Sequence, residues 1–482
     1  LEPSGITTPA EPPVDAPDTL VPTELRMPIS ATTAATPPAP WSPATRLGFR
    51  IAFLYVCFNF LGGNGTLFRA FPVVGFWIDH TLNWPFKHLS EFTGQHLFHL
   101  TGIAAHWHPS ESGDTTMNWI QNGLFLAFAL AGGILWTFIA LLRNNPRTEY
   151  RTLHAWLRFL VRFTCGTFMV TYGLAKVFPF QMPPPSIAIL NEPVGNIAPL
   201  TLLWNLIGLS PIYEIICGSA ELLGGILLLY RRTALAGALF SSFVMTNVVL
   251  YNFCYDVPVK LFAANLLLGC IFLALPDALS LFRFFWSHRP AAPTAAWVPP
   301  ASRRAGRITI LVTEISFAAA LLVVHPILRT LDWHHLQVAL RTPSPLLGAW
   351  HLDVTHPASG AFIDPDGLPI TDLYVAPSSP AYTRSTDGEL WLSGVNLDPK
   401  KHTVLINCYF IGAPTNYAWQ LSDPNHLILT SVPPNPSKPD PKHKPAGPFT
   451  PAVLTLTRTP TPAHYPLLER GFHFISEWRY ER

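Results

Sequence analysis

Charge is scarce in this chain: Asp, Glu, Lys and Arg make up 12% of 482 residues, against 49% hydrophobic ones. An average soluble globule devotes roughly a quarter of its residues to charge. The shortfall excludes an ordinary soluble domain of this length and points to a membrane protein, with the lipid bilayer as its principal partner. Basic and acidic residues nearly cancel, leaving a formal charge of +2, so there is no basic field and no nucleic-acid partner is expected. The six cysteines, Cys57, Cys165, Cys217, Cys254, Cys270 and Cys408, include no CxxC pair and fall mostly within apolar runs. A disulfide framework or thiol-redox pair is therefore excluded, and the cysteines read as small buried hydrophobes. The chain also lacks a haem-binding CxxCH, a dinucleotide fingerprint and an iron-sulfur cysteine pattern, so it holds no complete electron-transfer centre of its own.

What is present is a series of long apolar runs. Residues 51–68, 117–142, 153–180, 211–230, 233–255, 259–276 and 308–328 each reach the length of a membrane span. The run 153–180 carries Arg158, Arg162 and Lys176, which are expected to snorkel toward the two interfaces. Arginines cluster before the first run, after the second and fourth, and between the sixth and seventh. Short cytoplasmic loops retain Lys and Arg, so this alternation predicts a multi-pass protein of the cell inner (plasma) membrane. Its N-terminus is then cytoplasmic and its C-terminal domain periplasmic or extracellular.

Five regions follow. Residues 1–43 contain eleven prolines and are expected to be a disordered cytoplasmic tail; they lack the features of a secretory signal, so the first apolar run is expected to remain as an anchor. Residues 44–152 hold two spans joined by an exoplasmic loop with His80, His88, His96, His99, His106 and His108. Within that loop 86–103 has amphipathic spacing and is expected to lie on the membrane surface. Histidines beside Glu91 raise the question of a metal, but no HExxH-type pattern occurs and none is expected. Residues 153–282 form a four-span core, and 283–341 a cytoplasmic linker with the last span. In residues 342–482 short alternating runs at 403–411, 416–421, 426–432 and 452–458 predict a small antiparallel β domain, with a loop at 433–451 and a closing run from Glu469. Its GAW triplet, Gly348 to Trp350, resembles the opening of lipocalin-type barrels.

The polar residues of the core are the functional suspects, because ionisable groups are expensive in a bilayer. Glu214, Gly218, Glu221 and Gly225 recur at helical spacing, placing both carboxylates on a face that lets another helix approach closely. Lys176, Tyr172, Asn247, Asn252, Asp256 and Lys260 fall toward the same exoplasmic end. Two readings stay open: the groups pair and fix helix packing, with Asp256 capping the next helix, or they form a pocket for a polar headgroup or a proton-accepting ligand. Glu221, near mid-span, is the sharpest suspect, with Lys176 as its candidate cation, and Glu314 is a lesser one.

Three segments, YGLAKVFPFQ (172–181), SPIYEIICGSAELLGGILLLYRR (210–232) and NVVLYNFCYDVPVKL (247–261), together resemble the DoxX-like membrane family. The terminal GFHFISEW resembles the end of longer bacterial members carrying an added exoplasmic domain. The resemblance implies a DoxX-like four-helix membrane core, to which the apolar runs add three spans, giving a mainly α-helical polytopic protein of about seven transmembrane helices. Some relatives are subunits of a thiosulfate:quinone oxidoreductase, which implies quinone-linked redox or sulfur metabolism, a quinone as cofactor and a redox protein partner. The catalytic residues would then be Glu221, Lys176 and Asp256, and the ligand contacts Glu214, Asn252, Lys260 and Tyr172. Two other functions are compatible with the same residues. One is a small-anion or lipid-headgroup carrier, suggested by the proline-interrupted lead-in from Pro199 to Pro211. The other is a non-catalytic anchor presenting its β domain to an envelope partner.

Overall fold

The computed structural model describes residues 40–63, 67–107, 113–143, 148–290, 299–341, 344–352, 362–364, 367–376, 381–398, 401–408, 415–433, 452–462 and 464–469. The 433–451 insertion and the closing run lie almost wholly outside the described residues, as does nearly all of the N-terminal tail. In chain order the helices are α1 (Pro43–Gly62), α2 (Pro72–His96), α3 (Thr116–Leu142), α4 (Arg151–Val177), α5 (Ile187–Leu190), α6 (Pro199–Gly208), α7 (Pro211–Leu229), α8 (Ala234–Cys254), α9 (Lys260–Ala274), α10 (Ala278–Ser287), α11 (Arg304–Ala319) and α12 (His325–Arg341).

Among the described residues six helical stretches are long and apolar enough to cross a membrane. They are α1, α3, α7, α8, the continuous stretch Lys260–Ser287 formed by α9 and α10, and Arg304–Arg341 formed by α11 and α12. Their exposed side chains are large and apolar, among them Ile134, Leu223, Phe243, Leu250, Leu268 and Leu311, while Arg158, Arg162, Lys176, Glu214, Glu221 and Asn252 are buried. This inside-out distribution is what lipid as solvent selects, and it makes the chain a multi-pass membrane protein. The first span ends earlier than its apolar run: α1 stops at Gly62, and residues 67–70 form a separate 3₁₀ turn.

Helix α4, 27 residues or about 40 Å long, lies at the centre of the bundle. Its arginines do not snorkel. Arg158 and Arg162 are both fully buried, with Arg162 Nη2 2.5 Å from Glu314 Oε1 on α11 and Arg158 Nη2 donating to the Leu273 carbonyl at 3.0 Å and lying 4.0 Å from Asp277. An opposite charge outside α4 lies beside each of them where water cannot reach. Glu314 is thereby a structural partner, and the sequence pattern had no means of pairing it.

The glycine face of α7 meets α4. A Cβ at Gly218 would sit 2.5 Å from Lys176 Cβ, one at Gly225 2.8 Å from the Val170 amide nitrogen, and one at Gly173 2.6 Å from the Leu222 amide nitrogen. Backbones this close leave no space for a side chain. Gly218→Leu is therefore expected to destabilise the protein by about 3 kcal/mol or more. Unfolding followed by tryptophan fluorescence in detergent would check this, and an unchanged midpoint would refute it.

Helix α2 begins fourteen residues before the expected 86–103 segment and ends at His96. It runs through Pro85, and two residues earlier Asn83 Oδ1 accepts from Gln121 Nε2 of α3 at 2.6 Å. Val73, Phe76, Trp77, Trp84 and Phe92 remain exposed on it, an aromatic surface suited to the bilayer interface.

The C-terminal domain is a closed antiparallel barrel of eight strands, each bonded to its neighbours in sequence and the last to the first. The strands are β1 (Gly348–Leu352), β2 (Ile370–Val375), β3 (Ala381–Ser385), β4 (Leu390–Asp398), β5 (Thr403–Cys408), β6 (Thr415–Asp423), β7 (His426–Ser431) and β8 (Val453–Thr459). Closure removes every free sheet edge, and the up-and-down order is that of lipocalin-type barrels. Trp350 of the GAW triplet is fully buried, and the Arg458 guanidinium of β8 stacks on it at 4.3 Å while donating to the carbonyls of Leu347, Pro345 and Pro424. Apolar side chains, including Ile370, Leu373, Val404, Ile406, Leu427 and Leu456, fill the interior.

Candidate functional site

The close packing of α4 on α7 puts Lys176 opposite Glu221. Lys176 Nζ donates to both carboxylate oxygens, at 2.8 Å and 2.7 Å, and both residues are buried. The ammonium also lies 5.9 Å from the Tyr172 ring centroid. A bidentate pair in a low-dielectric bundle holds both groups in one geometry.

This pair forms part of the wall of a cavity of about 250 Å³ between α4, α6, α8 and α9. Its polar lining is Lys176, Glu221, Tyr172, Gln181, Tyr251 and Asn252, and its apolar part includes Phe168, Met169, Trp204 and Leu266. Asn252 is fully buried, and among the described residues neither its Nδ2 nor its Oδ1 has a hydrogen-bond partner; Gln181 Oε1 is likewise buried without one. Buried amides are almost always paired, because an orphaned one costs about 1 to 3 kcal/mol. The Asn252 amide and the Gln181 oxygen thus leave donor and acceptor positions beside the ion pair.

Three residues expected at the site stand elsewhere. Glu214 is fully buried but accepts from the Met182 amide at 3.1 Å, tying the turn after α4 to the start of α7, and it is not part of the cavity wall. Asp256 has a left-handed backbone, φ 54°, and its side chain projects outward, 80% exposed. Lys260 pairs with Asp256 at 2.6 Å and approaches Asp114 at 3.9 Å. Nor does Asp256 cap α9. Asp114 does so, accepting from the amides of Lys260 at 2.6 Å and Leu261 at 3.0 Å. Sequence reasoning missed Asp114, which lies 146 residues from Lys260. It also missed the cavity roles of Gln181, Trp204 and Tyr251, although Gln181 and Tyr251 stand within the family-like segments.

In the histidine-rich segment, His88 and His106 lie 3.6 Å and 3.9 Å from Glu91, and His96 stacks on Phe92 at 4.2 Å. Among the described residues no group of three or more His, Cys, Asp or Glu side chains converges to hold a metal, and His108 lies outside them.

The end of the bundle that carries α5 and α6 is joined to the barrel. Arg384 of β3 pairs with Glu192, which lies between α5 and α6, and also donates to Tyr374 at 3.4 Å. Partial burial alone would lower the Arg384 pKa, but the bonds to Glu192 and Tyr374 outweigh it and hold the guanidinium above its ordinary value. A second link runs from Asn191 Nδ2 to the Tyr465 hydroxyl at 3.0 Å.

No family model matches the chain, and no solved structure matches it. Over 115 residues the sequence is 32% identical to the Uncharacterized protein YwoB of Bacillus subtilis (strain 168), a match covering 22% of this chain and 67% of that protein. The chain belongs to the family of that protein. Membership brings no activity with it, since the relative is itself uncharacterised. The chemistry must be argued from the cavity.

Proposed function

We propose that the chain is a DoxX-like subunit of a bacterial inner membrane that binds a quinone-like ligand in the Lys176–Glu221 cavity and exchanges protons with it. The observation that carries this reading is the Asn252 amide and the Gln181 Oε1, buried without hydrogen-bond partners among the described residues on the wall that also holds the ion pair. A quinone presents carbonyl acceptors to the Asn252 Nδ2 donor and to Lys176. Its hydroxyl form presents donors to Asn252 Oδ1 and Gln181 Oε1, so one wall serves both oxidation states. Glu221 and Lys176 hold the protons that the two states exchange. Electrons would come from a redox protein partner. Asp256, exposed and turned away, has no part in this chemistry.

Because Glu221 already neutralises Lys176, the cavity offers no net positive charge to a small anion, which favours an uncharged ligand over the carrier of anions. On this reading α4 is a seventh crossing. The arginine-rich connections then lie in the cytoplasm with the N-terminus, and the barrel stands on the periplasmic or extracellular side.

The test is quinone binding to protein purified in mild detergent, measured by titration with a decyl-tailed benzoquinone and by extraction of bound quinones. Asn252→Leu is expected to weaken binding roughly tenfold. Protein that carries no quinone, and whose affinity is the same with Leu at position 252, would refute the assignment.

A further inference from the structure

A second, larger cavity of about 830 Å³ lies between α6, α7 and α8 and adjoins the first, with Lys176, Glu221, Val248 and Tyr251 in the walls of both. Helices α7 and α8 touch closely at one end only. A Cβ at Gly237 would meet the Leu228 amide nitrogen at 2.6 Å, and one at Gly224 would meet the Ser241 hydroxyl at 2.5 Å. The cavity occupies the gap between their other halves, from Tyr213, Cys217 and Ala220 on α7 to Phe243 and Leu250 on α8.

Its exposed lining comprises Leu206, Phe243 and Leu250, with Phe243 at 78%, together with Tyr213, Thr246 and Asn247. Both α7 and α8 are membrane-crossing helices, so an exposed apolar side chain there faces acyl chains, not water. The larger cavity thus opens sideways into the bilayer, and its inner end is the ion pair. A molecule dissolved in the bilayer can pass Leu206, Phe243 and Leu250 with its apolar part still out of water, while Tyr213, Thr246 and Asn247 offer polar contacts to its head.

We propose that this cavity is a lateral portal for the apolar tail of a bilayer-borne amphiphile, whose polar head lies against Lys176, Glu221 and Asn252. The proposal rests on the quinone-binding reading of the inner cavity and adds the ligand's class and path: a head with hydrogen-bonding groups on an apolar tail, admitted between α7 and α8. Cys217 and Ala220 line the passage, and Val248 and Tyr251 stand where the two cavities meet. A tail held there would keep the head from leaving toward the barrel side.

The full-length protein in phosphatidylcholine–phosphatidylglycerol vesicles that contain a phosphatidylcholine with a mid-chain diazirine provides the test. After illumination, peptide mapping is expected to find adducts at Cys217 and Ala220 on the inner wall as well as at Phe243 and Leu250 on the rim. Adducts confined to the rim would overturn the portal. In Ala220→Trp, binding of a decyl-tailed benzoquinone is expected to fall roughly tenfold, as when a few tail methylenes are left unburied, while a tail-less benzoquinone binds as before. Equal effects on both ligands would also overturn it, and the adduct map on the unsubstituted protein decides the matter even where the variant does not fold. Inner-wall adducts without binding of either quinone uphold the portal and remove the quinone reading. Quinone binding without inner-wall adducts does the reverse.

Discussion

Lys176→Met is expected to destabilise the protein by about 3 to 5 kcal/mol, because it leaves the Glu221 carboxylate buried without its cation. The pair is bidentate and both residues are almost inaccessible to bulk solvent, so the carboxylate loses the cation that neutralises it. The double variant Lys176→Met with Glu221→Leu removes both charges together and should recover most of that loss, since a buried pair replaced by apolar groups is often neutral to stability. Detergent-phase unfolding followed by tryptophan fluorescence measures both effects. Quinone binding, measured beside it, separates structure from function: the double variant should be stable yet bind poorly. A stable double variant with unchanged affinity would make the pair a strut for α4 and α7 and nothing more.

The other large effect is expected near the middle of α4. Glu314→Ala strands the Arg162 guanidinium, which is fully buried and bonded to Glu314 at 2.5 Å, and should cost about 3 kcal/mol or more. The loss is expected to be local, because Glu314 is the charged link from α11 to α4, beside the packing of Phe317 on Phe163. Hydrogen exchange in residues 304–319 should therefore quicken more than in α7 or α8. Combining Glu314→Leu with Arg162→Met should restore slow exchange. If Glu314→Ala alone leaves both midpoint and exchange unchanged, the ion pair does not hold α11 in place. The neighbouring Arg158 provides a contrast: it also donates to the Leu273 carbonyl, so removing Asp277 should cost less.

The two halves of the barrel were not equally legible. Strands β7 and β8 alternate buried and exposed residues cleanly, with Leu427, Leu429, Leu454 and Leu456 facing in, and this alternation is what period-two patterning detects. In β3 and β4 the inward positions include Thr383, Ser385 and Ser393, with Thr383 and Ser393 hydroxyls 3.0 Å apart. Hydroxyl groups at core positions erase the hydrophobic signal, so these strands stayed hidden until closure placed them beside β2 and β5. The GAW triplet marked β1 correctly, but its partner Arg458 became visible only once β8 lay beside β1.

Within the membrane part, composition and apolar run length determined the protein's class, and helical spacing alone determined that Glu214, Gly218, Glu221 and Gly225 share one face. These are local properties, set by which side chains lie one or two turns apart. Tertiary structure decided which charges meet. Arg162 and Glu314 are 152 residues apart, Lys176 and Glu221 are 45 apart, and Asp114 caps a helix beginning 146 residues later. Partner choice depends on how close the backbones come and on which groups are excluded from solvent. The same packing sends Asp256 outward and leaves Asn252 facing the cavity with its amide unpaired among the described residues.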